Sequence, residues 1–141
     1  VTPEMEARAE ELLDYLEIRH LRERLMTELS SGEARRAVIA RALAHSPKAL
    51  LLDEPSNSLD IRAMGELRDA MRKLAQTGVA VILVTHHLPD IIPEIERVIC
   101  MRNGKVFADG SKEEILTGAR LSELFGIPVE VERRDGFFHM W

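Results

Sequence analysis

Two adjacent acids and one histidine are the residues whose setting suits chemistry. Asp53-Glu54 closes the apolar run Ala49-Leu50-Leu51-Leu52, and Thr85-His86 follows a second apolar run over residues 79–84. The first run lies between Pro47 and Pro55, too short for a helix, and the second is apolar and mostly β-branched. Each therefore reads as a fully buried strand. Side chains at the carboxyl end of such strands emerge into the crevice where open α/β sheets bind ligands. An aspartate there can hold Mg²⁺ through oxygen, and the glutamate beside it can accept a proton from an attacking water. An imidazole can hydrogen-bond a terminal phosphate or orient that water without carrying charge. Together these groups suit hydrolysis of a nucleotide. His20, His45, His87 and His139 lack such a setting and read as structural or surface residues.

A second candidate lies upstream. Leu29-Ser30-Ser31-Gly32-Glu33 is a polar glycine turn before a helix, with Ser30 or Ser31 as N-cap. Backbone N–H groups and the positive helix end could face an anion there. By itself, an ordinary cap accounts for the turn. A phosphate-cradling loop, G-x-x-x-x-G-K-[ST], occurs nowhere in the sequence. Gly104-Lys105 lacks both the upstream glycine and the following hydroxyl. Without that cradle the acids and His86 have nothing to hold phosphates in place.

The elements that must position these groups follow from periodicity and punctuation. Thr2-Pro3 starts a helix running to about residue 17, and Ile18, Leu21, Leu25 and Leu29 suggest a second short one. The glycine turn opens a helix that His45-Ser46-Pro47 ends. Its small face of Ala37, Val38, Ala40, Ala42 and Leu43 suits close approach to a sheet. Met64, Leu67, Ala70, Met71 and Leu74 predict a helix over 61–76, stopped at Gly78. Strand, helix and strand of these lengths make a βαβ unit with parallel strands. Beyond them the sequence predicts a short helix over 88–96 despite Pro93, then a strand over 97–101. An Asn103-Gly104 hairpin leads into 105–108, and Asp109-Gly110 reads as a turn. Ser111-Lys112-Glu113-Glu114 is a capping box opening a short helix. Another helix over 121–125 and a closing hairpin around Asp135-Gly136 complete the chain.

Composition narrows the partners. At 141 residues the chain suffices for one packed domain. The net charge of −5, with acids and bases interspersed and no basic block, gives no nucleic-acid footprint. The lone Cys100 excludes an internal disulfide and a cysteine metal site, and fits a reducing cytosol. No apolar run approaches the roughly 18 residues of a membrane span, and no signal peptide is present, so membrane association is expected through a partner. A start at Val1 rather than Met suggests a fragment, or removal of a tag.

In this order and spacing, the motifs resemble those of the ATP-binding cassette (ABC) ATPases. Leu29-Ser30-Ser31-Gly32-Glu33 is similar to the LSGGQ signature, with Ser31 for its first glycine and Glu33 for its glutamine. Residues 49–54 resemble Walker B, Ser58-Leu59-Asp60 the D-loop, and Thr85-His86 the switch histidine. Arg41-Ala42-Leu43, Pro47 and the Asn103-Gly104-Lys105 hairpin fit too, while His87 stands where Asp is frequent. The resemblance implies an α/β fold: the C-terminal portion of a P-loop NTPase-like domain, with a parallel sheet core, flanking helices and C-terminal hairpins. Residues 1–45 would be helical subdomain and signature helix, and 46–141 the rest of the core. The Walker A loop would precede Val1.

The resemblance further implies ATP and Mg²⁺ as cofactors, Glu54 and His86 as catalytic residues, and Asp53 at the Mg²⁺. Ser30, Ser31, Gly32 and Glu33 would face the nucleotide of a second cassette in a head-to-tail dimer, with Asp60 at the interface. The implied parent is the ATPase subunit of a membrane transporter, cytoplasmic and held to the membrane by permease subunits. The tail Leu124-Phe125-Gly126-Ile127-Pro128-Val129 looks like that of bacterial importer cassettes. Alternatives are a soluble ABC ATPase of DNA repair or translation, and a non-catalytic ABC-like fragment. The chain by itself is expected to be inactive.

Overall fold

In the computed structural model, which describes residues 2–141, the first helix begins where its cap residues dictate. Helix α1 (Pro3–Tyr15) has Thr2 as N-cap, its hydroxyl accepting from the Met5 N–H at 3.3 Å, with Pro3 in the first turn. The expected second helix does not form; two short 3₁₀ turns, Arg19–Leu21 and Met26–Glu28, take its place. Glu17 adopts a left-handed φ of 59°, which ends α1 and turns Ile18 straight into the core. Glu10 then accepts ion pairs from Arg19 at 2.9 Å and Arg22 at 2.7 Å, folding the segment back along α1. These tertiary contacts outweigh the helical spacing of the leucines.

Helix α2 (Ser31–Leu43) buries Gly32, Ile39, Ala40 and Leu43. Val38, expected on the buried face, is exposed. The helix packs chiefly on α1 and on α3 (Ile61–Ala75), so its small residues serve close approach to a helix rather than to a sheet. Strands β1 (Ala49–Asp53) and β2 (Ala80–Val84) pair in parallel, Leu50 opposite Val81 and Asp53 opposite Val84, with α3 as the crossover. The βαβ reading therefore holds, and Leu67, Ala70, Met71 and Leu74 are buried on α3 as expected. The strands are not fully buried. Leu50 and Leu52 point into the core, whereas Leu51, Ile82 and Val84 lie exposed on the opposite face, because α3 covers one side of the pair.

The described residues separate into two compact units, one ending at Val84 and one of Thr85–Trp141. The second unit opens with a 3₁₀ turn, Leu88–Asp90, instead of a helix over 88–96. Pro89 and Pro93 explain this, since each lacks an N–H and disfavours helical backbone in the residue before it. Strands β3 (Arg97–Arg102) and β4 (Lys105–Ser111) form an antiparallel hairpin. Its turn residues Asn103 and Gly104 have φ of 50° and 71°, as a type I′ turn requires. Strand β4 runs straight through Asp109-Gly110, where a turn was expected. Asp109 lies opposite Ile99, and its carboxylate accepts two hydrogen bonds from Arg97 at 2.8 and 2.7 Å.

Ser111 and Glu114 form the expected capping box at the start of α4 (Lys112–Ile115). Helix α5 (Gly118–Phe125) begins three residues earlier than read, capped by Thr117. Strands β5 (Val131–Arg134) and β6 (Phe137–Met140) close the chain around Asp135-Gly136. Leu88, Ile91, Ala108, Ile115, Leu116, Leu121 and Phe138 make this unit's core. No helix among the described residues is long and apolar enough to cross a membrane.

Candidate functional site

At the carboxyl end of β1 the parallel ladder extends one residue beyond the strand. The Glu54 N–H donates to the Val84 carbonyl at 2.8 Å. Glu54 itself has a left-handed φ of 43°, a conformation that costs energy for a residue bearing a Cβ. The chain therefore turns sharply. Asp53 stays on the exposed face with Leu51, while Glu54 points elsewhere and is half-buried. Pro55 and Ser56 anchor the turn by being buried. The Asn57 N–H donates to the Glu54 carbonyl at 3.2 Å, and the Leu59 N–H to that of Ser56 at 3.1 Å. Ser58 is a second left-handed residue, with φ of 64°. The loop ends at Asp60, whose carboxylate accepts from the Ala63 N–H at 2.8 Å and caps α3. Two strained non-glycine residues within five positions mark this loop as one whose shape the surrounding structure imposes.

The glycine turn is a complete capping box. The Ser30 hydroxyl accepts from the Glu33 N–H at 3.3 Å, while the Ser30 N–H and hydroxyl both donate to Glu33 Oε2 at 2.8 Å. These bonds hold the Glu33 carboxyl below its ordinary value, the Ser30 N–H contributing most and its hydroxyl next. Ser31 is exposed in the first turn of α2. Gly32 is buried against α3, where an added Cβ would lie 2.7 Å from that of Ala63. One turn further along both helices, Arg36 Nη2 meets Glu66 Oε2 at 3.0 Å, with the Arg36 side chain only 11% exposed. Glu66 also pairs with Arg62 at 2.9 Å. Sequence reasoning passed over Ala63, Arg36 and Glu66. The available signal was the four-residue step from Gly32 to Arg36 beside the three-residue step from Ala63 to Glu66.

His86 belongs to the second unit. It is exposed, and its ring centroid lies 4.0 Å from that of His87. The flanking Thr85 fixes the segment: its hydroxyl accepts from the His87 N–H at 3.0 Å and donates to Asp90 at 3.3 Å. Asp90 is only 1% exposed, so the residues around His86 are tied to that unit's interior. Thus the first unit places the turn of Ser30, Ser31, Gly32 and Glu33 beside the first turn of α3 capped by Asp60. It also carries Asp53 and Glu54 at the open end of β1. As a hard oxygen donor at that end, Asp53 suits Mg²⁺.

Residues 2–57 match the ABC transporter family. The hemin import ATP-binding protein HmuV of Bradyrhizobium diazoefficiens is 39% identical over 132 residues, covering 88% of this chain and 49% of that protein. Among solved structures, an inward-facing conformation of an ABC transporter assigned to the metal-chelate type matches with a TM-score of 0.86 and 27% identity, covering 99% of this chain and 57% of that one. The ADP conformation of an ATP-binding cassette of an ABC transporter matches with a TM-score of 0.79 and 27% identity, over 89% of this chain and 51% of that one. Four curated relatives are spanned by this chain over 24%, 49%, 24% and 51% of their own lengths.

Proposed function

We propose, for a chain that belongs to the ABC transporter ATP-binding domains and forms part of one cassette, two half-sites for ATP hydrolysis coupled to transport. The observation that carries this reading is the Asp53-Glu54 pair at the end of a parallel strand, followed by a doubly strained loop into the Asp60-capped helix. Glu54 accepts a proton from the attacking water as the water oxygen bonds to the terminal phosphorus and the bond from that phosphorus to the bridging oxygen breaks, releasing ADP and inorganic phosphate. His86 hydrogen-bonds that terminal phosphate. Asp53 would hold Mg²⁺, which when bound offsets the negative charge of the phosphates. In this reading Ser30, Ser31, Gly32 and Glu33 face the ATP of a second cassette in a head-to-tail dimer, with Asp60 along the interface. Residues 1–45 serve as helical subdomain and signature helix, and 46–141 as the remainder of the core.

Likeness to a hemin import protein and to a transporter of metal-chelate type supports an importer. Membrane permease subunits are then its partners and the cytoplasmic face of the membrane its place. The test has two arms. In the cassette, Glu54→Gln is expected to lower turnover by about 10²–10⁴-fold while leaving ATP binding intact, the share a general base supplies; an unchanged rate refutes the assignment. The 141-residue chain carries no phosphate-cradling glycine loop. By itself it is expected to hydrolyse ATP no faster than its own Glu54→Gln variant. Micromolar Mg-ATP binding to it in a calorimeter would overturn that expectation.

A further inference from the structure

Gly32 is a glycine without a backbone reason to be one. It lies in the first turn of α2 and does not have the left-handed φ found at Gly78, Gly104, Gly126 and Gly136. Alanine would favour a helix at such a position. What excludes it is Ala63: a methyl on Gly32 would sit 2.7 Å from the Ala63 Cβ, whereas carbon atoms pack at about 3.5–4.0 Å. Ala63 is engaged on its backbone side as well, since its N–H donates to the Asp60 carboxylate at 2.8 Å. One residue therefore touches the glycine turn with its side chain and the 58–60 loop with its backbone. The Arg36–Glu66 pair at 3.0 Å repeats the tie one turn later, so α2 and α3 run side by side in the same sense.

We infer that Gly32 and Ala63 form a close-contact joint that makes the glycine turn and the 58–60 loop one rigid block, with Ala63 as a positioning residue. The joint itself stands on the contact geometry. Its consequence for turnover rests on the proposed function, in which the turn engages one nucleotide and the loop adjoins Glu54 beside another.

Exchanging the two side chains tests the joint. Gly32→Ala is expected to lower the Tm of the chain, without nucleotide, by roughly 5 °C through overpacking. Adding Ala63→Gly moves the methyl to the other helix and should return the Tm to within about 2 °C of Ala63→Gly alone. A double variant that melts as low as Gly32→Ala overturns the joint. Turnover by the cassette tests the positioning role. Ala63→Val is expected to lower kcat about tenfold with KM for ATP unchanged, and Ala63→Ser to keep the parental kcat. If Gly32→Ala does not fold, the Tm series is read on Ala63→Val and Ala63→Ser instead, and equal melting of those two overturns the joint. A parental kcat in Ala63→Val overturns the positioning role. Unimpaired turnover in Glu54→Gln, run in the same assay, marks failure of the functional reading instead, and the nucleotide-free Tm series still decides the joint.

Discussion

Ser30 and Glu33 show how one pair of side chains can satisfy a helix end and set an electrostatic condition at the same time. The Glu33 carboxylate accepts two bonds from Ser30 and lies at the positive end of α2, and its pKa is lowered from 4.5. Glu114 is likewise lowered by the hydroxyl and then the N–H of Ser111, and Asp109 by its hydrogen bonds from Arg97. For a lowered carboxylate the stabilisation is fully present above the unfolded value and vanishes as pH falls through the folded one. The chain should therefore lose stability from about pH 4.5 downwards. Thermal melts between pH 6 and pH 3 check this: Glu33→Gln and Glu114→Gln should each flatten the acid limb, and an unchanged slope would sink the assignment. Ser30 and Asp60 were legible as helix caps because each bonds a residue three positions on, and Asp53-Glu54 because the pair ends a short apolar run, although its place depends on the distant Val84. Ala63 was not, because its partner Gly32 lies on another helix and only the folded chain brings them together.

At the scale of elements, two glycines inside helices make opposite demands. Gly32 has Ala63 against it, whereas Gly65, inside α3, has nothing within 4 Å of where a Cβ would sit and no left-handed backbone. Gly65→Ala should therefore stabilise the chain by about 0.5–1 kcal/mol, since alanine restricts the unfolded chain and strengthens the helix. A urea melt with no rise in midpoint would show that α3 is limited by something other than propensity. The βαβ unit was readable because α3 keeps a strict apolar period and each strand is bounded by Pro or Gly. Residues 18–29 and 88–96 misled for contrasting reasons. In the first, a left-handed Glu17 and the Glu10 ion pairs redirect a segment with helical spacing. In the second, two prolines override the apolar pattern.

At the scale of the whole molecule, the second unit has its own core, to which Phe138 of the closing hairpin contributes while 5% exposed. Strand β6 contacts the Leu88–Asp90 turn, so the end of the chain supports the segment that follows His86. Phe138→Ala should cost about 3–5 kcal/mol by leaving a cavity. Hydrogen exchange should then show the amides of Asp90 and Ile91, which bond to the His87 and Leu88 carbonyls, losing protection first. Unchanged exchange there would mean that the turn holds without the hairpin. In the first unit, parallel strands normally have both faces covered. Here Leu51 is 61% exposed and Ile82 50%, within a chain spanning 49% of the hemin import protein.

What the sequence determined by itself was mostly local: caps, hairpin turns, the α3 stripe, the parallel pair and the order of motifs that identified the family. The caps, turns and stripe depend on residues within a few positions of one another, where steric and hydrogen-bonding preferences act directly. The parallel pair joins residues 31 apart, Ala49 with Ala80, and was readable because a helix of that length between two short strands brings them side by side. The tertiary structure decided what depends on distant partners. It chose the helix, not the sheet, as the neighbour of Gly32, opened one face of β1 and β2, and imposed the left-handed backbone at Glu54. Those outcomes come from packing between segments, and no local preference encodes them.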